Sequence, residues 1–425
     1  MSDATPTDPV TDLLDFPLLE AMFGRRSRRF GMGMSIESGP LAFTSDHDPA
    51  PLTRLEQDLL IASGTGVTGW HFGVPFGPDR PDSYAHYSHR FTGRTAPTAA
   101  GFGTPMLLFT DDHGTYLTNN RDQTPSAVRS FAGDAGDLES ITAPVRDHTV
   151  KLTDRRLDLP AQPPHVLPPN LWMANAPGST LFMPVADASE QTLGLLTMAM
   201  ANGNFPVDDR RGRPAGDLAP FVRSGLLDET KPTPISVLQQ MAYDSNIAEL
   251  SFMAHNIVLT MQAMGLGGLF LCGINSWSAL GAFAASGVNG FGFRFVEDER
   301  WTLPNPVGLD GHFESLCPPY QPDMRTAAKV YADRKFGSDG VYSSADGPWK
   351  EAKAIKSGVE PYSDEFVACL GEVAQYIYDA EGRFPVAPAT IVVSGVVQAV
   401  HIDTDFYDTH FQPGAYLPSH RDHWQ

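Results

Sequence analysis

Four arginines and one serine stand within five residues near the N-terminus, in the run Arg25–Arg29 (RRSRR). Guanidinium groups bind phosphate oxygens through paired hydrogen bonds, and a serine hydroxyl adds a short donor. The pattern indicates a phosphate clamp formed by Arg25, Arg26, Ser27 and Arg29. A solvated basic turn that pairs with an acidic surface has the same sequence, so the run alone leaves both interpretations open.

A second stretch, Arg94–Pro105, is rich in small residues and leads into the apolar segment Met106–Thr110, which predicts a strand. Small residues allow a planar ligand to approach the backbone closely. The hydroxyls of Thr95 and Thr98 can serve the edge of a ring or a ribityl chain. Taken alone, a stretch of this kind is more often an ordinary loop.

A long apolar segment predicts a helix from about Ile235 through Met264, followed by Gly265–Gly268 (GLGG). Its apolar residues recur at helical spacing, and a glycine directly after them is typical of a helix C-terminus. The simplest interpretation is a core helix with its cap. His255 then fits a satisfied core or interface histidine better than a ligand.

In this order, the three stretches resemble the nitroreductase-like FMN flavoproteins. That family has an Arg-Arg-Ser-x-Arg turn, an Ala-Pro-Ser-Ala-Gly segment and a helix ending in Gly-Leu-Gly, which correspond here to Arg25–Arg29, Ala96–Gly101 and Asn256–Gly267. The hairpin with Gly114 and Tyr116 resembles the branch that includes the azoline-oxidising dehydrogenases of peptide natural-product pathways.

The resemblance implies an α+β fold, with a mixed sheet and packed helices enlarged by long insertions. It also implies FMN as cofactor and a homodimer whose flavin site lies at the subunit interface. The implied activity is hydride transfer between flavin and an organic small molecule or modified peptide, and it leaves open whether NADH, NADPH or the substrate reduces the flavin. The residues that the resemblance places at FMN are the phosphate clamp (Arg25, Arg26, Ser27, Arg29), a segment along the flavin (Pro97, Thr98, Gly101) and its second edge (Gly267, Gly268).

Two departures from the family motivate an alternative. Phe102-Gly103 stand where the family often has Asn or Tyr, and no C-terminal motif supplies a further basic residue for the phosphate. Arg294, Arg334 and Arg421 are candidates for that role without a motif. The alternative is a catalytically degenerate protein of the same fold that binds flavin or another ligand.

A third possibility is a metal-dependent hydrolase that uses the segment His401–His410, with three carboxylates and two histidines in ten residues. If the segment is extended, His401, Asp403 and Asp405 project to one side. An acidic aromatic segment that packs on another surface is the simpler interpretation, and we assign no metal ligand.

The net charge argues against two classes of partner. Fifty acidic residues outnumber thirty basic ones among 425, for a net charge of −20, which argues against nucleic acid and against an anionic membrane surface. The apolar stretch 252–292 contains Asn256, Gln262 and several glycines, so it predicts a buried helix rather than a membrane span. Three widely spaced cysteines and a polar N-terminus favour a reducing, cytoplasmic setting.

For domain organisation, we expect a disordered tail at 1–12 and a nitroreductase-like domain at 13–300, with a loop-rich insertion near 121–235. Residues 301–425 are expected to form a C-terminal extension that packs on the core or on a second subunit.

Local patterns predict several elements. Thr53 and Glu56 form a capping box that opens a helix over Leu52–Ser63. Leu193–Ala201 is apolar throughout and fits either a buried strand or a helix. Thr390–Val400 predicts one strong strand.

Overall fold

The computed structural model of the chain describes residues 13–74, 90–98, 101–123, 125, 128–387 and 389–422. Helices and strands are interspersed along these residues, which confirms the predicted α+β class. The expected tail at 1–12 lies outside them.

The helices are α1 Leu18–Gly24, α2 Arg54–Thr65, α3 Ala135–Asp147, α4 Ala188–Ala201, α5 Ala219–Arg223, α6 Ile235–Ala263, α7 Ser276–Leu280, α8 Met324–Phe336, α9 Ala352–Ser357, α10 Asp364–Glu381, α11 Thr404–His410 and α12 Pro418–Asp422. The strands are β1 Ser35–Ile36, β2 Phe43–Thr44, β3 Val67–Trp70, β4 Thr92–Arg94, β5 Met106–Asp111, β6 Gly114–Thr118, β7 Thr149–Thr153, β8 Thr180–Asp187, β9 Asn204–Asp208, β10 Arg213–Pro214, β11 Asp228–Pro234, β12 Gly267–Leu271, β13 Arg294–Val296, β14 Asn305–Leu309, β15 Phe313–Glu314, β16 Ile391–Val393 and β17 Val396–Val400.

The main sheet has the strand order β12-β17-β8-β5-β6-β7, and β16 also pairs with β8. Each pairing in this sheet is antiparallel. Parallel pairing occurs in a separate small sheet, between β9 and β11, which β10 joins in the antiparallel sense. Strand β8 is central because β5 pairs along one of its edges while β16 and β17 share the other.

Strand β5 is buried on both faces, so the sheet lies between two layers of core. Met106 and Leu108 belong to one hydrophobic cluster, whereas Leu107 and Phe109 belong to the other, because successive strand side chains point to opposite faces. Helices α2 and α6 supply much of the second cluster. Full burial of each of these side chains is worth about 1.5–3 kcal/mol.

Helix α2 begins at the predicted capping box. The Thr53 hydroxyl accepts a hydrogen bond from the Glu56 amide, and the Glu56 carboxylate accepts one from the Thr53 amide at 2.6 Å. Because both donors at the helix start are satisfied, the cap fixes where α2 enters the core.

The apolar stretch 252–292 is divided between three elements: α6 ends at Ala263, β12 follows from Gly267, and α7 begins at Ser276. In the part of the chain that the structure describes, no helix has the length and hydropathy to cross a membrane.

The stretch 121–235 contributes elements to the core, and its assignment as an insertion stays a prediction. It contains β8, the central strand of the main sheet, and α4, which shows that Leu193–Ala201 is helical. All eight residues of β8 are buried, as expected of a central strand that has core on both faces.

The predicted strand Thr390–Val400 is two strands, β16 and β17, separated at Ser394 and Gly395. Both pair with β8, so residues from either side of position 300 share one sheet. The domain boundary near residue 300 stays a prediction. A third hydrophobic cluster joins α4 to α8 and α10.

Candidate functional site

The predicted phosphate clamp lies between α1, which ends at Gly24, and the buried ring of Phe30. Arg25, Arg26, Ser27 and Arg29 are exposed. One guanidinium nitrogen of Arg26 donates to the backbone oxygens of Phe23 and Arg25 at 2.9 and 2.7 Å. In the described part of the chain, none of the three exposed arginines forms an ion pair, so their charges face solvent.

Arg28 is the one arginine of the run that points inward, and its side chain holds the turn in place. Its guanidinium donates to the side-chain oxygen of Gln262 at 2.6 Å and to the backbone oxygen of Ala415 at 2.9 Å. A third, longer bond reaches the carbonyl of Gly24. Burial lowers the pKa of Arg28 to about 10, although the nearby Tyr407 hydroxyl opposes the shift.

The backbone of the turn also pairs with β12. The amide of Gly268 donates to the carbonyl of Arg28 at 2.7 Å. A Cβ on Gly267 would overlap the side chain of Ile402, and one on Gly268 would overlap the carbonyl of Gln398. Both glycines are buried, and the absence of a side chain lets β12 lie close to the neighbouring backbone and side chains. Their role at the flavin edge stays a prediction.

Asn256 joins the second candidate stretch to the third. Its side-chain amide donates to the carbonyls of Ser63 and Thr95, at 3.2 and 3.1 Å. Helix α6 therefore contacts the stretch Arg94–Pro105 (the Pro97 segment) through Asn256. It contacts Arg25–Arg29 (the arginine turn) through Gln262. The three stretches that carry the family resemblance meet along the C-terminal half of one helix.

A cleft of about 470 Å³ opens beside the turn. Arg26, Ser27 and Arg29 line one side, and aromatic rings line much of the remainder. The aromatic residues of this turn cleft are Phe30, Trp172, Phe406, Tyr407 and Phe411.

The rings of Phe30 and Phe406 stack with their centroids 4.1 Å apart, so these two lining residues pack against each other. The Tyr407 hydroxyl accepts a hydrogen bond from the Phe30 amide at 3.1 Å. Burial raises the pKa of Tyr407 to about 12, so it stays a neutral phenol. The cleft thus combines exposed cations with an apolar, aromatic interior.

The Pro97 segment lies elsewhere on α6. Pro97 and Thr98 line a small depression of about 20 Å³, together with Glu249 and Met253. Gly101 is buried with a φ of 70°, a conformation that favours glycine. Among the described residues, no hydrogen bond joins this segment to the arginine turn within one chain, and the depression and the turn cleft share no lining residue.

Phe102, which departs from the family pattern, is a core residue. It is buried against α4 at Gly194, where a Cβ would overlap the Phe102 ring. The aromatic side chain is therefore used for packing and does not face the depression beside Pro97.

A buried charge network, which sequence reasoning missed, surrounds Glu190 at the start of α4. Arg90 lies 2.9 Å from the Glu190 carboxylate, Arg334 lies 3.3 Å away and Arg121 lies 3.9 Å away. Burial alone would lower the pKa of Arg90, but the carboxylates of Glu190 and Asp122 outweigh it and raise the pKa above its ordinary value. The one feature of the sequence that could have indicated this network is Glu190 itself, the single charged residue of helix α4.

The three motif-less candidates for a further phosphate ligand are distributed over the molecule. Arg334 belongs to the Glu190 network. Arg294 lies 4.0 Å from Asp310, and the guanidinium of Arg421 lies over the ring of Tyr416.

The His401–His410 segment is not extended, because α11 begins at Thr404 with Asp403 as its N-cap. His401 is buried and directed towards the carbonyl of Ala50 and the carboxylate of Glu56. It is therefore not grouped with Asp403 and Asp405. Among the described residues, the group with metal-ligand spacing is His47, Asp403 and Asp405, whose ligand atoms lie within 4.8 Å of one another.

No protein-family model matches the chain, and no curated protein matches it significantly in sequence. A comparison with solved structures matches it to the crystal structure of a candidate nitroreductase from Ralstonia eutropha JMP134, with 13% sequence identity and a TM-score of 0.28. The match covers 65% of this chain and 76% of that chain. A TM-score this low carries no argument, so a functional assignment depends on the residues of the site.

Proposed function

We propose that the protein is an FMN-dependent oxidoreductase that binds the cofactor phosphate at the arginine turn. The observation that carries the proposal is the turn cleft, where exposed guanidinium groups lie at the edge of an aromatic cavity. Its volume of about 470 Å³ falls within the usual range for cofactor and ligand sites. FMN, a planar aromatic group with a phosphate at one end, fits this distribution of donors and rings, and supplies the hydride chemistry when bound.

The phosphate is assigned to Ser27 and Arg29, which line the turn cleft, and to Arg25, an exposed arginine of the same turn that lies outside the lining. Arg26 is already bonded to backbone oxygens on its own turn, so it contributes mainly charge. Arg28 does not contact the ligand in this proposal. It positions the other arginines, since its buried bond to Gln262 and its part-buried bond to Ala415 fix the backbone of the turn.

The Pro97 segment joins the site from a second copy of the chain. Within one chain this segment and the turn cleft are separate. In a homodimer with α1 at the interface, the turn cleft of one chain and the Pro97 segment of the other would contact the same flavin. Helix α1 supports this arrangement, because Leu18 and Phe23 are 65% and 77% exposed beside the turn. An apolar helix face of this kind marks a protein–protein contact.

The substrate is proposed to be an organic small molecule or modified peptide. A groove of about 740 Å³ adjoins the Pro97 segment at Thr95 and is lined mainly by apolar side chains, including Leu59, Phe131 and Ile141. Its size and polarity fit an organic substrate. NADH or NADPH is the proposed reductant, and a cytoplasmic setting agrees with three unpaired cysteines, Cys272, Cys317 and Cys369.

The test is the visible absorbance spectrum of the protein purified without added cofactor, with the flavin released by heat and identified. The proposal predicts bands of oxidised flavin and release of about one FMN per chain. A colourless protein that also fails to bind added FMN would overturn it. Bound FMN that neither NADH nor NADPH nor any organic donor reduces would favour the degenerate alternative.

A further inference from the structure

A second cavity, of about 270 Å³, lies on a different part of the molecule from the turn cleft. Trp70 and Phe91 form an aromatic wall, and Arg90, Arg334 and Lys356 bring three cations to it. None of its lining residues belongs to the turn cleft or to the Pro97 segment. Its volume lies just below the usual range for drug-sized ligands, which indicates a small molecule.

Lys356, on the short helix α9, is the unusual member of this wall. The residue is only 3% exposed, and its ammonium lies 5.6 Å from the ring centre of Trp70 and 5.2 Å from that of Phe91. No hydrogen bond or ion pair to the Lys356 ammonium is present among the described residues. Buried ammonium groups are costly without a partner, and burial lowers the pKa of Lys356.

Most of the other charged side chains that line the cavity already form ion pairs. Arg90 is paired with Glu190 and Asp122, and Asp122 also lies 3.3 Å from Arg121. Asp339 lines the cavity too, but its side chain is exposed to solvent. Lys356 therefore remains as an inward-facing cation that forms no ion pair among the described residues, although the exposed carboxylate of Asp346 is near enough to oppose the effect of burial on its pKa.

Arg334 approaches the same cavity from α8. Its contact with Glu190 at 3.3 Å uses one guanidinium nitrogen, and the side chain is 30% exposed. A guanidinium has five N–H donors in a planar fork, so it can hold an oxyanion while it remains beside Glu190.

We propose that this cavity binds a small organic anion, with its carboxylate or phosphate group between Lys356 and Arg334 and its apolar part among the aromatic residues. The anion supplies the direct ion pair that the buried ammonium does not form with the described residues. An oxyanion also matches both cations, because an ammonium binds it as a point charge and a guanidinium binds it through paired hydrogen bonds.

The experiment is isothermal titration calorimetry with two probes, benzoate for an aromatic carboxylate and inorganic phosphate for a phosphate group. The proposal expects saturable binding of at least one probe to the wild-type full chain. Lys356→Met keeps the length of the side chain and removes its charge, and should weaken that binding about tenfold or more. The control is Lys353→Met, which removes an exposed lysine from the same helix and should bind as the wild type does.

Arg334→Gln is the second variant and should weaken binding of the same probe, whether or not Lys356→Met folds. A response to benzoate alone assigns the site to carboxylates, and a response to phosphate alone assigns it to phosphates. Absence of saturable binding of both probes to the wild type would overturn the proposal. Undiminished binding by a folded Lys356→Met protein would overturn it as well.

Discussion

The guanidinium of Arg28 donates a 2.6 Å hydrogen bond to the side-chain oxygen of Gln262, in the interior of the protein. The two residues are 234 positions apart in the chain, and their contact joins the arginine turn to α6. It divides the run RRSRR by function, because Arg28 is used to hold the turn while Arg25 and Arg29 remain available to a ligand.

Replacing Arg28 by Ala should destabilise the fold much more than replacing Arg25 by Ala. The first change leaves the buried oxygen of Gln262 without this donor, at a cost of about 1–3 kcal/mol, and also removes the part-buried bond to Ala415. The exposed Arg25 should change the free energy of unfolding by less than about 0.5 kcal/mol. Urea denaturation of both variants measures the difference, and equal midpoints would contradict the structural role of Arg28.

Replacing Gly268 by Ala should prevent stable folding. A methyl group there would overlap the carbonyl of Gln398, and the φ of 139° is itself unfavourable for Ala. Gly212→Ala is the matched control, since Gly212 also has a positive φ but no atom within 4 Å of the added carbon. The control substitution should lower the free energy of unfolding by only about 1 kcal/mol. Thermal denaturation compares the two variants. Equal decreases in melting temperature would mean that strand packing does not require Gly268.

Stability should increase with pH through the titration of Lys335. Burial lowers the pKa of this lysine to about 7 in the folded state, from 10.5. Between these values the unfolded chain binds a proton that the folded chain does not, so the free energy of unfolding rises with pH by up to about 1.4 kcal/mol per unit.

The check on Lys335 is urea denaturation between pH 7 and pH 10. Lys335→Met serves as the reference, because it retains the other titrating groups and removes this one. The stability of the wild type relative to Lys335→Met should rise across the range. A constant difference would show that the folded and unfolded states bind this proton equally.

Much of the secondary structure follows from local patterns, whereas the charge network does not. Thr53 and Glu56 predicted the start of α2, and the apolar run from Met106 predicted β5, because both signals reside in adjacent residues. The three arginines around Glu190 come from separate parts of the chain. No local pattern brings such residues together, so only the tertiary structure reveals them.

Of the candidate site, the sequence predicted the arginine turn but not the orientation of each arginine. Arg28 resembles its neighbours in composition, and its burial depends on Gln262 and Ala415, which are far away in the chain. The aromatic lining of the turn cleft could not be predicted from the sequence either, since Phe30, Trp172 and Phe406 are brought together only by the fold.

If the flavin is shared between two chains, two defective variants should restore each other. The Arg25→Ala/Arg29→Ala double variant removes the proposed phosphate ligands, and Thr98→Trp obstructs the depression beside Pro97. When the two are unfolded together and refolded, about a quarter of the sites should combine two intact halves and retain FMN. Absence of any recovery, with both variants folded and dimeric, would contradict a shared site.

The central claim, that the arginine turn recognises a flavin phosphate, is tested most directly by comparing FMN with riboflavin, which lacks the phosphate. Titration of the flavin-free protein, followed by flavin fluorescence, should show tighter binding of FMN in the wild type. In the Arg25→Ala/Arg29→Ala variant, affinity for FMN should fall about tenfold or more while affinity for riboflavin is unchanged. The exposed pair Arg210→Ala/Arg223→Ala is the control for lost surface charge. Equal affinity of the wild type for FMN and riboflavin, or an undiminished preference for FMN in the double variant, would contradict the account.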